Sequence, residues 1–463
     1  MDIADLDNLI KYIKNKYNET KHKYNHTTYN IPYYIDKNIR DKNGVLDLSA
    51  TSSFAIFHES INLSDIAPFI KDIPEDRIKN FKLYPIRDLV ESILLNDKRE
   101  LNALKTEFKK VINNESLLTY NEHTKFGYTL LTKNFEIIVN ENDTPITISF
   151  QKPLKSDLLY MLKLDSKRFF RLGADIMYFG LYVRFSTLLN EVEKKIKFDN
   201  KELPYNENVN YEVLSKENII CDIILQLLQP STIQTYTDKT IKEGFRVDRK
   251  VIHSVPLKDI IYVGVIDNVK KKTLIKDYQF FRNKILEYGF INKKITPCFV
   301  AFEKYKEALN ISFLEVEKAI YYIVSGLEAI YTSSDVDLKY AFKMRISTIA
   351  KILGYDDNVS NILKNAYDVR SDYAHGNAEK SEANIKKLFK HFNGNKQDCL
   401  MYMIELLRKS IVLVLLLDYG KTKNNQDSTH IGFFHNNIDR IMLGDNTVKA
   451  SIKNKIKKFK NWF

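Results

Sequence analysis

The chain is 463 residues long, 44% hydrophobic and 28% charged. At roughly 150 residues per domain this predicts two or three packed domains and excludes disorder as the main state. Only 14 Gly and 10 Pro exclude collagen-like and Pro-rich designs and lean toward long helices, so a mostly α protein is expected. Lys and Arg outnumber Asp and Glu by 71 to 59, a net charge of +12 in a composition heavy in Lys and Asn throughout.

The first 25 residues mix Asp2, Asp5, Asp7, Lys11, Lys14 and Lys16 without an uninterrupted apolar stretch, so no secretory signal and a cytoplasmic location are expected. Residues 1–40 read as a polar lead-in with one short amphipathic stretch at Leu6, Ile10 and Ile13. Apolar clusters then alternate with Asp65, Pro68, Pro74 and Pro85, and helical spacing runs from Ile86 to Leu95. The clearest strand signals are Phe126–Thr132, Phe135–Asn140 and Ile146–Gln151, β-branched and aromatic runs parted by turn residues, which predict a three-stranded antiparallel meander. From Leu158 to Val192 the spacing is helical through Leu162, Phe169, Leu172, Ile176, Phe179 and Val183. A helix over Ile219–Leu228 and a short buried strand within Asp259–Val265 follow.

A boundary is expected near 290, at the polar Ile291-Asn-Lys-Lys, before Thr296-Pro297, where Pro297 suits a first helical turn. Residues 1–290 then form an α+β region with a small antiparallel sheet, divisible near 155, and residues 291–463 an α-helical bundle. Phe313, Val316, Ile320, Ile323, Leu327 and Ile330 make one stripe; Phe342, Ile346, Ile349 and Leu353 make the next, ended by Gly354. A third helix spans Val359 to His375. A fourth, from about Asp398 to Asp418, is apolar on nearly every side and therefore buried. Its longest apolar run, Ile411–Leu417, is far short of the ~20 residues that span a bilayer, so no integral membrane segment is expected. Cys221, Cys298 and Cys399 have neither disulfide nor metal spacing and read as small core residues.

The third helix carries the chemistry. Its stripe of Val359, Ile362, Leu363, Ala366 and Val369 continues at Arg370 and Tyr373, and an arginine on a packing face needs a carboxylate or an anionic ligand. His375 follows at the helix end. Taken alone, the pair also fits a salt-bridged arginine and an ordinary surface histidine.

The string Leu363-Lys-Asn-Ala-Tyr-Asp-Val-Arg-Ser-Asp-Tyr-Ala-His-Gly376 closely resembles the signature of HEPN domains, in particular the Apea-like branch, in which R-S-x-x-x-H-G ends the third helix of a four-helix bundle. Ile323-Val-Ser-Gly-Leu-Glu-Ala-Ile330 looks like that family's first long helix, Lys343-Met-Arg-Ile-Ser-Thr-Ile-Ala350 its second, and Tyr402-Met-Ile-Glu-Leu-Leu-Arg408 its last. The resemblance covers roughly residues 300–440 and implies metal-independent RNA cleavage by a homodimer whose two motifs face one cleft.

In such a reaction the RNA's own 2′-hydroxyl attacks the adjacent phosphate, leaving a 2′,3′-cyclic phosphate. The protein then needs no nucleophile, metal or cofactor. His375 would serve as general acid and base. Arg370 would stabilise charge on the phosphate through its planar guanidinium. Asp372 is expected to orient His375 or hold Arg370, or else to lie solvated at the helix end; Ser371 reads as a helix-end hydrogen bonder. Tyr373 belongs to the core as a stripe residue, or stacks on a base. Glu328 would pair with Arg370 or Arg345 as structural support. Lys343, Arg345 and Asn377 would contact RNA.

The expected function is a regulated endoribonuclease acting on single-stranded RNA or tRNA, a toxin or antiviral effector whose N-terminal region meets an inhibitory or triggering partner. The competing expectation is a catalytically silent HEPN module used for dimerisation or ligand binding. Residues 291–463 hold 27 Lys and Arg against 19 Asp and Glu. The last segment sets Ile452, Ile456, Phe459 and Trp462 against Lys453, Lys455, Lys457, Lys458 and Lys460, a basic amphipathic helix suited to RNA phosphates, an anionic membrane or simple capping of the core. No nucleotide-binding glycine loop, metalloprotease or serine-hydrolase motif occurs, and the remaining histidines lack metal-ligand spacing.

Overall fold

The computed structural model describes residues 27–32, 51–56, 119–126, 128–141, 144–151, 181–187, 207–242, 246–251, 262, 264–311, 315–332, 338–417 and 430–463, with residues 11 and 15. The amphipathic stretch at Leu6, Ile10 and Ile13, the helical spacing of 86–95, Phe313 and most of 158–192 lie outside them. The described residues are mostly helical and fall into two compact units, 1–214 with 234–258 and 215–233 with 259–463.

The first unit holds antiparallel sheet. Strands β1 (Thr27–Pro32) and β2 (Thr51–Ile56) pair with each other. A six-stranded sheet contains β3 (Thr119–Phe126), β5 (Phe135–Glu141), β6 (Thr144–Gln151), β7 (Leu181–Thr187), β8 (Gln234–Lys242) and β9 (Arg246–Val251), while Tyr128–Leu130 forms the short β4. The sheet order is β5-β6-β7-β3-β8-β9. The β5–β6 hairpin follows its alternating pattern: Phe135, Ile137 and Val139 are buried with Ile146, Ile148 and Phe150, while Glu136 and Ile138 face out. Phe135 stacks on its cross-strand partner Phe150 at 4.6 Å, and on the other face Ser149 donates to Glu136 at 2.9 Å. The expected meander needs correction in its first member. In this sheet β5 is an edge strand beside β6 alone, so 126–132 does not flank it as a meander requires; the further neighbour of β6 is β7, and residues expected to continue a helix through Val183 pair as strand instead.

The second unit is helical. Helix α1 (Glu207–Leu228) enters it from Ser215, and the expected strand in 259–265 meets β10, Gly264–Ile266, only at Gly264 and Val265 among the described residues. Helix α2 (Asn268–Glu287) is capped by Asp267, whose carboxylate accepts from Val269 and Lys270. Helix α3 (Pro297–Leu309) begins with Thr296 as cap and Pro297 in the first turn, as its sequence requires. The break expected near 290 falls at the turn between these helices, inside a unit that also contains α2 and residues 215–233. Then follow α4 (Val316–Tyr331), α5 (Leu338–Ile352), α6 (Val359–Ala374), α7 (Ala378–Lys390), α8 (Lys396–Leu417), α9 (His430–Met442) and α10 (Asn446–Lys458), with a 3₁₀ turn at Lys460–Trp462.

Helix α4 is the hub, packing against α3, α5, α6, α8 and α9 through Ile320, Ile323, Val324, Leu327 and Ile330, all fully buried. Gly326 lets α8 approach it, since a Cβ there would stand 2.9 Å from Leu407 Cδ2. Helix α8 is buried along 410–417, as its all-round apolar sequence demands. Among the described residues no helix is long and apolar enough to cross a membrane.

Three polar ties cross this core. Arg282 pairs with Glu217 at 2.8 Å, and Tyr278 donates to the same carboxylate at 3.0 Å. Arg408 binds Glu405 at 2.7 Å and also donates to the carbonyls of Leu227 and, at 2.8 Å, Trp462. The buried His435 ring on α9 meets the Ile330 carbonyl at 2.7 Å, so Nε2 carries the proton. Burial holds the His435 pKa below its ordinary value. The unfolded chain therefore binds this proton first: the contribution to stability is present above about pH 6.5 and is lost as pH falls through the lower folded value. Urea midpoints should drop between about pH 7 and about pH 5 in the parent, and the drop should be smaller in His435→Gln, which keeps an N–H donor without the titration.

Candidate functional site

Helix α6 buries Val359, Ile362, Leu363, Ala366 and Val369, the stripe its 3.6-residue spacing predicts. The two residues that extend this stripe do not join the core. Arg370 is a little under one-third exposed, and Tyr373 is 40% exposed, leaning on Tyr321 with ring centroids 5.5 Å apart. Tyr373 as a core residue is thus corrected: the groove described below opens beside it.

Arg370 Nη2 meets Glu328 Oε2 on α4 at 2.8 Å, and its guanidinium lies over the Tyr367 ring at 6.0 Å. Its Nε is buried without a hydrogen-bond partner among the described residues. Burial pushes the Glu328 carboxyl above the usual glutamate range, and Arg370 opposes that shift. The carboxylate therefore depends on this arginine. Arg370→Ala should cost about 1–3 kcal/mol in urea denaturation, the desolvation penalty of a buried group left unmatched, and most of it should return in the Arg370→Ala/Glu328→Gln double variant.

His375 sits where α6 stops, and the stop is a Schellman cap. Gly376 adopts φ +71° and its N–H reaches the Tyr373 carbonyl at 3.2 Å, while the Asn377 N–H reaches the Asp372 carbonyl at 2.9 Å. The His-Gly pair thus has a backbone reason: His375 is the C-cap and Gly376 supplies the left-handed turn that only glycine takes without strain. Gly376→Ala should cost about 1–2 kcal/mol by thermal denaturation, although a Cβ there would meet nothing within 4 Å, because the cost is conformational. The His375 ring is exposed and makes no hydrogen bond or ion pair with a described residue. Five residues separate it from Arg370, about 140° around the helix and about 7.5 Å along it, so the two side chains leave α6 in different directions.

The flanking residues serve the joint. Asp372 accepts from Asn384 of α7 at 2.8 Å; it contacts neither His375 nor Arg370, which corrects both roles expected of it. Ser371 acts through its backbone carbonyl, which accepts the His375 N–H. Asn377 opens α7 without a side-chain cap bond and is exposed. Arg345 is not available to RNA as expected: it holds Asp439 of α9 through two bonds, at 2.9 and 2.8 Å, and the Tyr331 carbonyl at 3.1 Å. Lys343, also on α5, makes no ion pair with a described residue.

Helix α7 was not anticipated by the sequence reading, and it completes the site. Its buried residues Ser381, Ile385, Leu388 and Phe389 recur at helical spacing between Gly376 and Gly394, a pattern that was readable. It walls a groove of about 690 Å³ together with Val316 and Glu317 of α4 and with Tyr373 and Gly376. The groove therefore begins at the residues flanking His375. Lys386 lies on its rim, paired with Glu382 at 2.7 Å. Among the described residues no three His, Cys, Asp or Glu side chains are grouped to hold a metal ion.

No family model matches the chain, no curated protein matches it, and no solved structure matches it.

Proposed function

We propose that the helical unit is a metal-independent endoribonuclease of HEPN type, acting on single-stranded RNA as a homodimer. The observation that carries this reading is His375, an exposed imidazole that bonds to no described residue, fixed at a helix end beside an open groove and five residues after Arg370. An exposed imidazole beside the groove suits acid and base work on a 2′-hydroxyl and a leaving 5′-oxygen. One ring cannot conveniently serve both sides of a scissile phosphate, and the divergence of Arg370 and His375 along α6 favours a second copy that supplies the missing group. Glu328 would hold one edge of the guanidinium while a phosphate takes what remains. A regulated toxin or antiviral role, with the N-terminal region as sensor, belongs to the same proposal.

A second reading is favoured by the Arg370–Glu328 contact itself, which fits a silent module in which the arginine is structural. Incubation of the purified chain with total RNA in EDTA separates the two readings. The ribonuclease reading expects cleavage by the parent and its loss in His375→Ala and in Arg370→Lys, which keeps a charge beside Glu328 but loses the planar fork. Intact RNA with the parent under every salt condition, or cleavage that survives both substitutions, would favour the silent module.

A further inference from the structure

Helix α10 and the turn after it carry Lys449, Lys453, Lys455, Lys457, Lys458 and Lys460, with no Asp or Glu anywhere in 446–463. Lys455 donates to the Leu416 carbonyl and Lys458 lies over the Phe459 ring. The other four are exposed and form no ion pair with a described residue. Lys449, Lys453 and Lys457 stand four residues apart on one face of the helix, a charge every ~6 Å along its axis, and Lys460 follows in the 3₁₀ turn. Like charges at this spacing repel one another. Lysines in the last turn offset the helix dipole, but Lys449 and Lys453 lie too far up to do so.

The row is also held rigidly. The opposite face of the segment turns inward through Ile452 and Trp462, both buried, with Phe459 packed on Phe280 at 5.1 Å. Trp462 is fixed by Asp277 and Arg408, and Asn461 donates to Thr273 at 2.8 Å. Beside the lysines runs a shallow groove of about 790 Å³ lined by Asn446, Thr447, Ser451 and Asn454, side chains that donate to and accept from ribose and phosphate oxygens.

We propose that this face docks the phosphodiester backbone of single-stranded RNA. A preorganised, acid-free lysine row relieves its own repulsion when it meets a polyanion, and the neighbouring amides and hydroxyls supply hydrogen bonds without reading bases. A bilayer fits less well, since the apolar residues of the segment point into the protein and leave α10 no face to insert; the exposed Met442 ends α9 and Leu443 lies in the turn after it. The choice of RNA rests on the ribonuclease reading, whereas the polyanion surface does not.

The test uses the full chain carrying His375→Ala, so that bound RNA stays intact, and labelled poly(U) followed by fluorescence anisotropy across a KCl series. Adding Lys449→Gln, Lys453→Gln, Lys457→Gln and Lys460→Gln should weaken binding at least tenfold at low salt and reduce the slope of log K against log[KCl] by about 2.8, four contacts at about 0.7 each. Removing the same charge at Lys293, Lys294, Lys364 and Lys390, all exposed, should leave the slope within about one unit, and matching melting curves confirm that both variants fold. An unchanged slope in the first variant, or an equal fall in both, would overturn the docking surface. So would a parent that ignores poly(U) but binds phosphatidylserine vesicles through the same lysines. Because this assay reads binding in an inactivated chain, its failure is distinct from failure of the cleavage experiment.

Discussion

His375→Ala is expected to slow metal-independent RNA cleavage by about 10²–10⁴-fold, the range lost with a positioned general acid or base. The substitution tests chemistry alone, because the ring is exposed, makes no hydrogen bond, ion pair or ring contact with a described residue, and leaves the Schellman cap to Gly376 and Asn377. Its melting curve should overlay that of the parent. Arg370 offers no such clean separation: the same substitution that removes a phosphate ligand strands Glu328 in a partly buried site. A loss of cleavage in Arg370→Ala is therefore informative only beside Arg370→Lys and the double variant with Glu328→Gln. Titrating inactive His375→Ala into active chain adds a third readout. If each cleft needs two histidines, cleavage should fall faster than the fraction of active protein; a linear fall would argue for one chain acting alone.

The second large effect concerns stability. Trp462→Ala should lower the free energy of unfolding of the helical unit by about 3–5 kcal/mol, measured as a shift of the urea midpoint at constant slope. The Trp462 ring is fully buried, its centroid stands 3.8 Å from that of Phe281, and its Nε1–H donates to Asp277 at 2.9 Å. Truncation opens a cavity and also removes a donor from a buried carboxylate. Trp462→Phe separates the two terms: it refills most of the space and should cost only the ~1–3 kcal/mol of the unmatched acceptor. A Phe variant as damaged as the Ala variant would show that the hydrogen bond, not the packing, fixes this segment. The far end of the same residue matters too, since its carbonyl is one of the acceptors that satisfy Arg408.

Where the fold was legible, one periodicity was unopposed. The stripes of α4 and α6 recur every three or four residues and are the buried faces; β5 and β6 alternate strictly and form the hairpin. Leu181–Thr187 fits both periods, because Val183 lies four residues after Phe179 while Leu181, Val183 and Phe185 alternate. Its pairing with β3, over 50 residues away in sequence, and with β6 decides the matter, and no local window contains that information. Helix α7 gives a weaker signal for a different reason: its apolar face is only Ile385, Leu388 and Phe389, set in a long polar surface between two more apolar helices. The site inherits these limits. Glu328 was a foreseeable partner for Arg370, since both flank the packing faces of long helices. Asn384 was not foreseeable as the partner of Asp372, since it lies on the helix that went unread. Arg345 shows how a cation near a motif can be wholly engaged by its own fold.

Only His375, Gly376 and Asn377 separate α6 from α7, and two backbone bonds close that joint. Chain length here is therefore a geometric constant. One residue more or less would turn α7 by about 100° about its own axis, the rotation per helical residue. The burial of Ile385, Leu388 and Phe389, the bond from Asn384 to Asp372 and the mouth of the groove would all be lost together. The spacing between Ala374 and Ala378 is not free to vary, and a histidine placed there is carried by the packing of two helices at once.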